Sequence, residues 1–437
     1  MADVIVMGGG LSGLAAAAAL GGVGHRVRIL EARPFLGGRA TSYEASSSSG
    51  SETIDNCQHI LLRCCVNLMD FYRRLGVDGD IRFFKEFIFI EPGGRRSVMR
   101  AGALPAPLHF TGSFAALRFL NMAEKTAVAR GLMAIRREAS RTDLDRITFR
   151  QWLDEHRQPP RAIERFWRQV MVSAVSEELE KTAAVHGFQV FRLAFLATSN
   201  AYEMGVPAVP LGELYREEAW KKIGNVEIRL RCPVEHVAIE NESVECVAAG
   251  GESFRADYYV SALPFERLAQ IGLPVDVSGF THAPITGIHL WFDRPVVNVP
   301  QATLLDRTIQ WVFNKRDGRY VQLVVSASNS LTDMARADVI ALAVRELAEF
   351  FPAAAEATLE KAHVVKEMRA VMSPQPGLES RRPVAKTPIR NLFLAGDWTR
   401  TGWPAIMEGA VRSGYLAAEA VTGAICDPKK FVLPDIA

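Results

Sequence analysis

The 437-residue chain is nearly neutral, with 51 Lys and Arg against 49 Asp and Glu, and 49% of it is apolar. That length buries a large core and favours two domains over one, while the balanced, dispersed charge excludes an extended nucleic-acid footprint. Its six cysteines contain no C-x-x-C pair, so they give neither a metal-ligand set nor a disulfide framework and fit a reduced cytosolic interior; no apolar run is long enough to span a membrane, and the N-terminus lacks the marks of a signal peptide.

Val4 to Met7 reads as a short buried strand, followed by Gly8, Gly10 and Gly13 at G-x-G-x-x-G spacing and by the alanine-rich helix Leu14 to Leu20. Gly8 suits a tight turn, Gly10 a backbone that approaches a pyrophosphate, and Gly13 a helix packed on a strand. The anion would sit at the helix N-terminus, around Leu11 and Ser12, where free N–H groups and the helix dipole favour it. Val27 to Leu30 is a second apolar run, and Glu31 ends it 23 residues after Gly8, where a ribose-binding carboxylate is expected. The pattern predicts a dinucleotide site. Past Ala32 and Arg33 comes the basic, glycine-rich Gly37, Gly38 and Arg39, which approaches a phosphate again; this stretch resembles the FAD-binding opening of the flavin amine oxidase and phytoene desaturase superfamily.

The stretch TSYEASSSSGSETIDN predicts an exposed hairpin tip that returns as a strand toward Asp55. Leu61, Leu62, Cys65, Leu68, Met69 and Tyr72 then fall at helical spacing, with Gly76 as C-cap, which puts Asp55, Asn56, Gln58 and His59 at the mouth of a helix. Strand-like FFKEFIFIE and RRSVMR lead through Pro105 and Pro107 into a helical section. There Phe110, Phe114, Leu117 and Leu120 form an apolar stripe near Arg95, Arg96 and Arg100. That stripe fits either a membrane-contacting entrance for a greasy substrate within 104–137 or a helix packed on its own domain. The density of Phe149, Trp152, Phe166, Trp167, Phe188, Phe191 and Phe195 suits a large apolar pocket or plain core.

From about residue 205, PLGELYREEAWKKIG predicts a helix closed by Gly224; alternating strands around Val234, then a hairpin and a return strand, carry the chain to SALP. THAPITGIHLWFDRPV is a strong strand signal, and a helix near ADVIALAVRELAEFF follows it. NLFLAGDW is an apolar strand ending in Gly396 and Asp397. After Pro404 a helix begins, whose Gly409, Ala410 and Gly414 would let its N-terminus approach a flat ring. Asp397 would bond ribityl or phosphate groups, and amides near Met407 and Glu408 would face the flavin edge that gains negative charge on reduction. The expected fold is α/β: a discontinuous Rossmann-type FAD-binding domain from 1–79, 205–270 and 386–437, with an inserted α+β substrate domain from 80–204 and 271–385.

The whole chain is similar to the bacterial hydroxysqualene dehydroxylases, on IDNCQHILLRCCVNLMDFYRRLG, FWRQVMVSAVSEELEKTAAVHGFQVF, MGVPAVPLGELY, PITGIHLWFDRPV and NLFLAGDWTRTGWPAIMEGAVRSG. It departs from them at Cys57, where they usually have glycine, and at Arg63 and Cys64, where a Gly-Cys pair is usual; a larger side chain at 57 would narrow the space beside the flavin. The resemblance implies that non-covalent, reduced FAD converts hydroxysqualene to squalene and water on the way to hopanoids or related triterpenes. The partners are then a long isoprenoid, an electron donor that the sequence does not show and a membrane surface, at the inner face of the cell membrane of a cytoplasmic protein.

Such a reaction needs an acid at the departing hydroxyl. His59 is the first candidate, with Asp55 to hold or charge it and Gln58 to orient the hydroxyl; the alternative is that this cluster only caps a helix and bonds the flavin. Glu408 is a reserve acid, and Phe188, Phe191 or Trp291 would face a cationic carbon. The rival readings are a carotenoid-type desaturase, which removes hydride instead, then an amine oxidase with Trp398 and Trp403 as an aromatic cage, then a flavin-binding scaffold without chemistry.

Overall fold

The computed structural model of the protein describes residues 1–47 and 50–436. Its organising layer is a five-stranded, all-parallel sheet in the order Val226–Arg229, Arg26–Leu30, Asp3–Met7, Tyr258–Ser261 and Leu392–Leu394. Three separated stretches of chain thus build one sheet. The helix Leu11–Gly22 follows the central strand and is buried along almost its whole length. Its six consecutive small or leucine positions from Leu14 to Ala19 let it be enclosed on all sides. Gly414, on the helix Met407–Ala424, makes that enclosure close: a Cβ there would lie 2.2 Å from the Ser12 carbonyl oxygen. Its smallness therefore serves helix-to-helix packing, and the expectation that it admits a flat ring is corrected.

A second sheet of seven strands runs Leu359–Met372, His282–Phe292, Tyr320–Ser326, Trp311–Arg316, Gln301–Leu304, Phe87–Ile90 and Arg96–Met99. The helix Arg336–Phe350 packs its apolar face on it. A helical section between residues 108 and 196 covers another side, with Phe149, Trp152, Trp167 and Phe191 in mutual ring contact at its centre. Ser42–Ser47 and Gly50–Asp55 pair as the expected antiparallel hairpin. The predicted tip at Ser48 and Ser49 lies outside the described residues.

Two expectations change, and a third, open between a membrane-contacting stripe and a packed helix, narrows. The helix forecast from Leu61 starts only at Val66 and runs to Leu75, with Gly76 closing it at φ 70°. Leu61 and Leu62 instead pair as a short strand with Met204 and Gly205, because a cross-strand ladder far along the chain outcompetes the local period. Asp55 to His59 is therefore a strand end and turn, not a helix mouth. PLGELYREEAWKKIG divides into a single-turn Leu211–Tyr215 and a helix Glu217–Ile223. In the third, Leu117 and Leu120 are buried. The outward face of that region carries Leu104, Leu108 and Met122.

Candidate active site

The first strand ends in two glycine-rich loops that meet backbone to backbone. Gly8 turns at φ 106°, and a Cβ at Gly13 would lie 2.0 Å from the Gly8 carbonyl oxygen, so both positions are closed to any side chain. Gly37 N–H donates to the Gly9 carbonyl at 2.9 Å, and a Cβ on Gly38 would come within 3.0 Å of the Gly10 Cα. Gly10 itself has room: a Cβ there finds its nearest neighbour 3.9 Å away. Glu31 closes the second strand and accepts from the Gly9 N–H and the Arg33 N–H, both at 2.7 Å. Arg39 spans the cleft, donating to both Asp397 carboxylate oxygens at 3.0 and 2.9 Å and to the Ala370 carbonyl at 2.7 Å.

These loops form one end of a cavity of about 680 Å³. Gly8, Gly10, Leu11, Ser12, Glu31, Ala32, Arg33, Gly38, Arg39, Val234, Gly396, Asp397, Met407 and Glu408 all line it, whereas Gly13 lies beneath it. The helices Leu11–Gly22 and Met407–Ala424 both point their N-termini at this end, and neither has a side-chain cap. Buried, uncapped N-termini call for an acceptor from elsewhere. A pyrophosphate at the first helix and an electron-rich ring edge at the second supply it, so the cradle fits FAD.

The same cavity continues into an apolar chamber walled by Phe87, Met99, Leu193, Phe195, Trp311 and Phe313. The rings proposed from sequence lie elsewhere: Phe188 and Phe191 belong to the helical core, and Trp291 stacks on Tyr320 at 4.4 Å.

At the seam between cradle and chamber sit Asn56, Cys57, Gln58 and His59. Asp55 does not hold His59. Its carboxylate accepts from Lys315 Nζ at 2.9 Å, Ser42 Oγ at 2.7 Å and the Leu211 N–H at 3.0 Å. Burial alone would raise that carboxyl, yet Lys315 and the two hydrogen bonds keep it below the usual carboxylate value. Lys315 Nζ also donates to Gln58 Oε1 at 3.0 Å, so one lysine pins the whole turn. His59 Nδ1 lies 2.9 Å from the Cys57 carbonyl, which places the hydrogen on Nδ1 and leaves Nε2 as an acceptor. Burial lowers the His59 pKa, so the imidazole is neutral and unsuited to act as a cationic acid. The Cys57 thiol is pushed up to about 12 by burial; it packs against Gly287 and the wall formed by Trp311 and Phe313. Glu408 is corrected as a reserve acid. Its fully buried side chain caps the helix Val66–Leu75, accepting from the Leu68 N–H at 2.8 Å and Asn67 Nδ2 at 2.8 Å, and only its backbone adjoins the cradle.

A glycine-lined cradle on a parallel sheet, opening directly into an apolar chamber, defines a flavin-dependent oxidoreductase. The chain belongs to the family described as flavin containing amine oxidoreductase, which matches residues 11–422. It is 28% identical to a 15-cis-phytoene desaturase of an Oncidium hybrid cultivar, over 96% of this chain and 77% of that one. It is 26% identical to a 15-cis-phytoene desaturase of Synechococcus elongatus, over 96% and 95% of the two chains. An oxidoreductase from Methanosarcina mazei shares the fold, with a TM-score of 0.71 at 17% identity over 96% of this chain and all (100%) of that one.

Proposed function

We propose that the protein moves hydride between FAD and an allylic carbon of a long isoprenoid chain, in the oxidative direction of a polyene desaturase. The observation that carries this reading is the single cavity that joins the cofactor cradle to an apolar chamber, with a neutral His59 at the seam. Bound flavin supplies the hydride acceptor. Desaturation also requires loss of a proton from the neighbouring carbon, and His59, whose Nδ1 is engaged by the Cys57 carbonyl, would offer Nε2 as its acceptor. The chamber excludes water and holds the chain by apolar contact alone. The desaturase relatives support the same direction.

The substrate enters from a lipid surface. Leu104, Leu108 and Met122 are exposed at 50%, 55% and 69%, and the same stretch of chain carries the exposed Arg100, Arg118 and Arg130. Phe110, between them and the chamber, contacts the chamber residue Phe195 with ring centroids 6.1 Å apart. No helix among the described residues is long and apolar enough to cross a membrane, so this contact is made from one side.

A second reading, reductive dehydroxylation of hydroxysqualene to squalene, rests on the hydrogen-bonding groups of Gln58 and His59 at the seam, which a pure hydrocarbon does not need. One anaerobic experiment separates the two. Oxidised protein that bleaches on adding phytoene or squalene, with a more unsaturated product, establishes the desaturase. Oxidised protein that stays yellow, while reduced protein is reoxidised stoichiometrically by hydroxysqualene with release of squalene, overturns it in favour of the second reading.

A further inference from the structure

One buried cation lies outside every cofactor motif. Arg382 is 1% exposed, and its guanidinium is surrounded by main-chain oxygens of the segment that follows the last strand of the parallel sheet. Nη2 donates to the Asp397 carbonyl at 2.8 Å, Nη1 to the Trp403 carbonyl at 2.7 Å, and Nε to the Trp398 carbonyl at 3.4 Å. Nη1 also meets the Glu379 carboxylate at 2.6 Å. On the other side His186 leaves Nδ1 without a partner, and its pKa falls to about 3 because it is buried and lies near Arg382.

Each of those carbonyls fixes the peptide it belongs to. In a trans peptide the N–H points opposite the C=O, so drawing the Asp397 carbonyl onto Arg382 turns the Trp398 N–H the other way. The Gly396 carbonyl is likewise held, by the Thr399 N–H at 3.0 Å and Thr399 Oγ1 at 2.9 Å, which turns the Asp397 N–H away from Thr399. Gly396 sits at φ 145°, and a Cβ there would strike the Trp398 indole at 2.2 Å. Among the described residues, neither the Asp397 N–H nor the Trp398 N–H has a protein acceptor, although both residues are buried and line the cofactor end of the cavity. Two consecutive buried donors without partners form a small anion-binding concavity.

We infer that Arg382 is a positioning residue for the flavin cofactor: from behind, it holds the 397–403 segment so that the Asp397 and Trp398 N–H groups meet FAD, and it supplies buried positive charge that favours the reduced form. The inference rests on the cavity's cofactor end being the FAD site. It is independent of which isoprenoid the chamber takes.

The test uses purified full-length protein, deflavinated and titrated with FAD, and the midpoint potential of the reloaded flavin at pH 8. Arg382→Lys keeps the charge but cannot reach three carbonyls. It should weaken FAD binding by about tenfold or more. Glu379→Gln keeps those carbonyl contacts but removes the countercharge, so it should leave FAD affinity within about twofold of wild type and make the potential more positive. A folded Arg382→Lys protein with wild-type FAD affinity overturns the inference. Should that variant fail to fold, Glu379→Gln decides: an unchanged potential overturns it and a positive shift supports it. Wild-type protein that binds no FAD would overturn the cofactor assignment, and this inference with it.

Discussion

Replacing Lys315 by methionine removes the one ion-pair partner, among the described residues, of an Asp55 carboxylate that is 4% exposed. Asp55 then keeps its hydrogen bonds from Ser42 Oγ and the Leu211 N–H. Breaking a buried pair from one side costs roughly 3–5 kcal/mol. The two surviving hydrogen bonds and the 20% exposure of Lys315 put the expectation near the bottom of that range, at about 3 kcal/mol. The sign with pH follows from the lowered Asp55 pKa. In the wild type its contribution is present above the unfolded carboxyl value and is lost as pH falls through the lower, folded one. In Lys315→Met, burial becomes the dominant influence and raises the folded value above the unfolded one. The variant therefore recovers relative to wild type as the pH falls and Asp55 takes up a proton. Urea unfolding of the holoprotein, followed by tryptophan fluorescence from about pH 8 to about pH 4.5, reads both effects. A Lys315→Met deficit under about 1 kcal/mol, or one equally large at both ends of that range, would refute the buried-pair account. So would an Asp55→Asn/Lys315→Met double variant no more stable than Lys315→Met alone.

Gly13→Ala drives a Cβ to 2.0 Å from a carbonyl and should yield protein without the flavin band near 450 nm, whereas Gly10→Ala, with 3.9 Å of clearance, should fold normally and show only weaker FAD binding; the absorbance ratio of flavin to protein and an apoprotein melt distinguish them. Ala194→Trp places a bulky ring in the chamber wall and should abolish isoprenoid turnover while flavin content stays at the wild-type level, measured on the same preparation. His289 is fully buried, and its pKa is held down to about 3 by burial, so the unfolded state binds its proton first as the pH falls below 6.5. Stability should drop by about 1.4 kcal/mol per pH unit on its account between those values, and His289→Gln should reduce the measured slope by that amount.

What could be read in the sequence was what is local. The cradle was legible because a glycine at φ 106° and another 2.0 Å from a carbonyl leave no alternative residue, and because Glu31 must end the neighbouring strand. The helix start at residue 61 was misread because Leu61, Leu62, Cys65 and Leu68 satisfy a helical period, while the pairing that wins is with Met204 and Gly205. A window of neighbours carries no term for that partner. The aromatic rings were misassigned for a related reason: Phe191 and Phe195 lie one helical turn apart, yet only Phe195 reaches the cavity.

Lys315 shows where a signal existed and went unused. Trp311, Phe313 and Lys315 alternate along one strand, so the lysine follows two apolar residues on the same face, and a lysine drawn inward there needs a carboxylate partner. The strand pairing slips between Asn314 and Arg316, which leaves Lys315 outside the ladder and free to reach Asp55 and Gln58. Asp55, for its part, looked from sequence like the group that charges His59. In the structure Asp55 pairs with Lys315 instead, and burial lowers the His59 pKa, which favours an acceptor over the cationic acid first expected. That difference is what the proposed desaturase direction draws on: a neutral imidazole whose Nδ1 hydrogen is engaged by the Cys57 carbonyl offers Nε2 as a proton acceptor, where dehydroxylation would call for a proton donor.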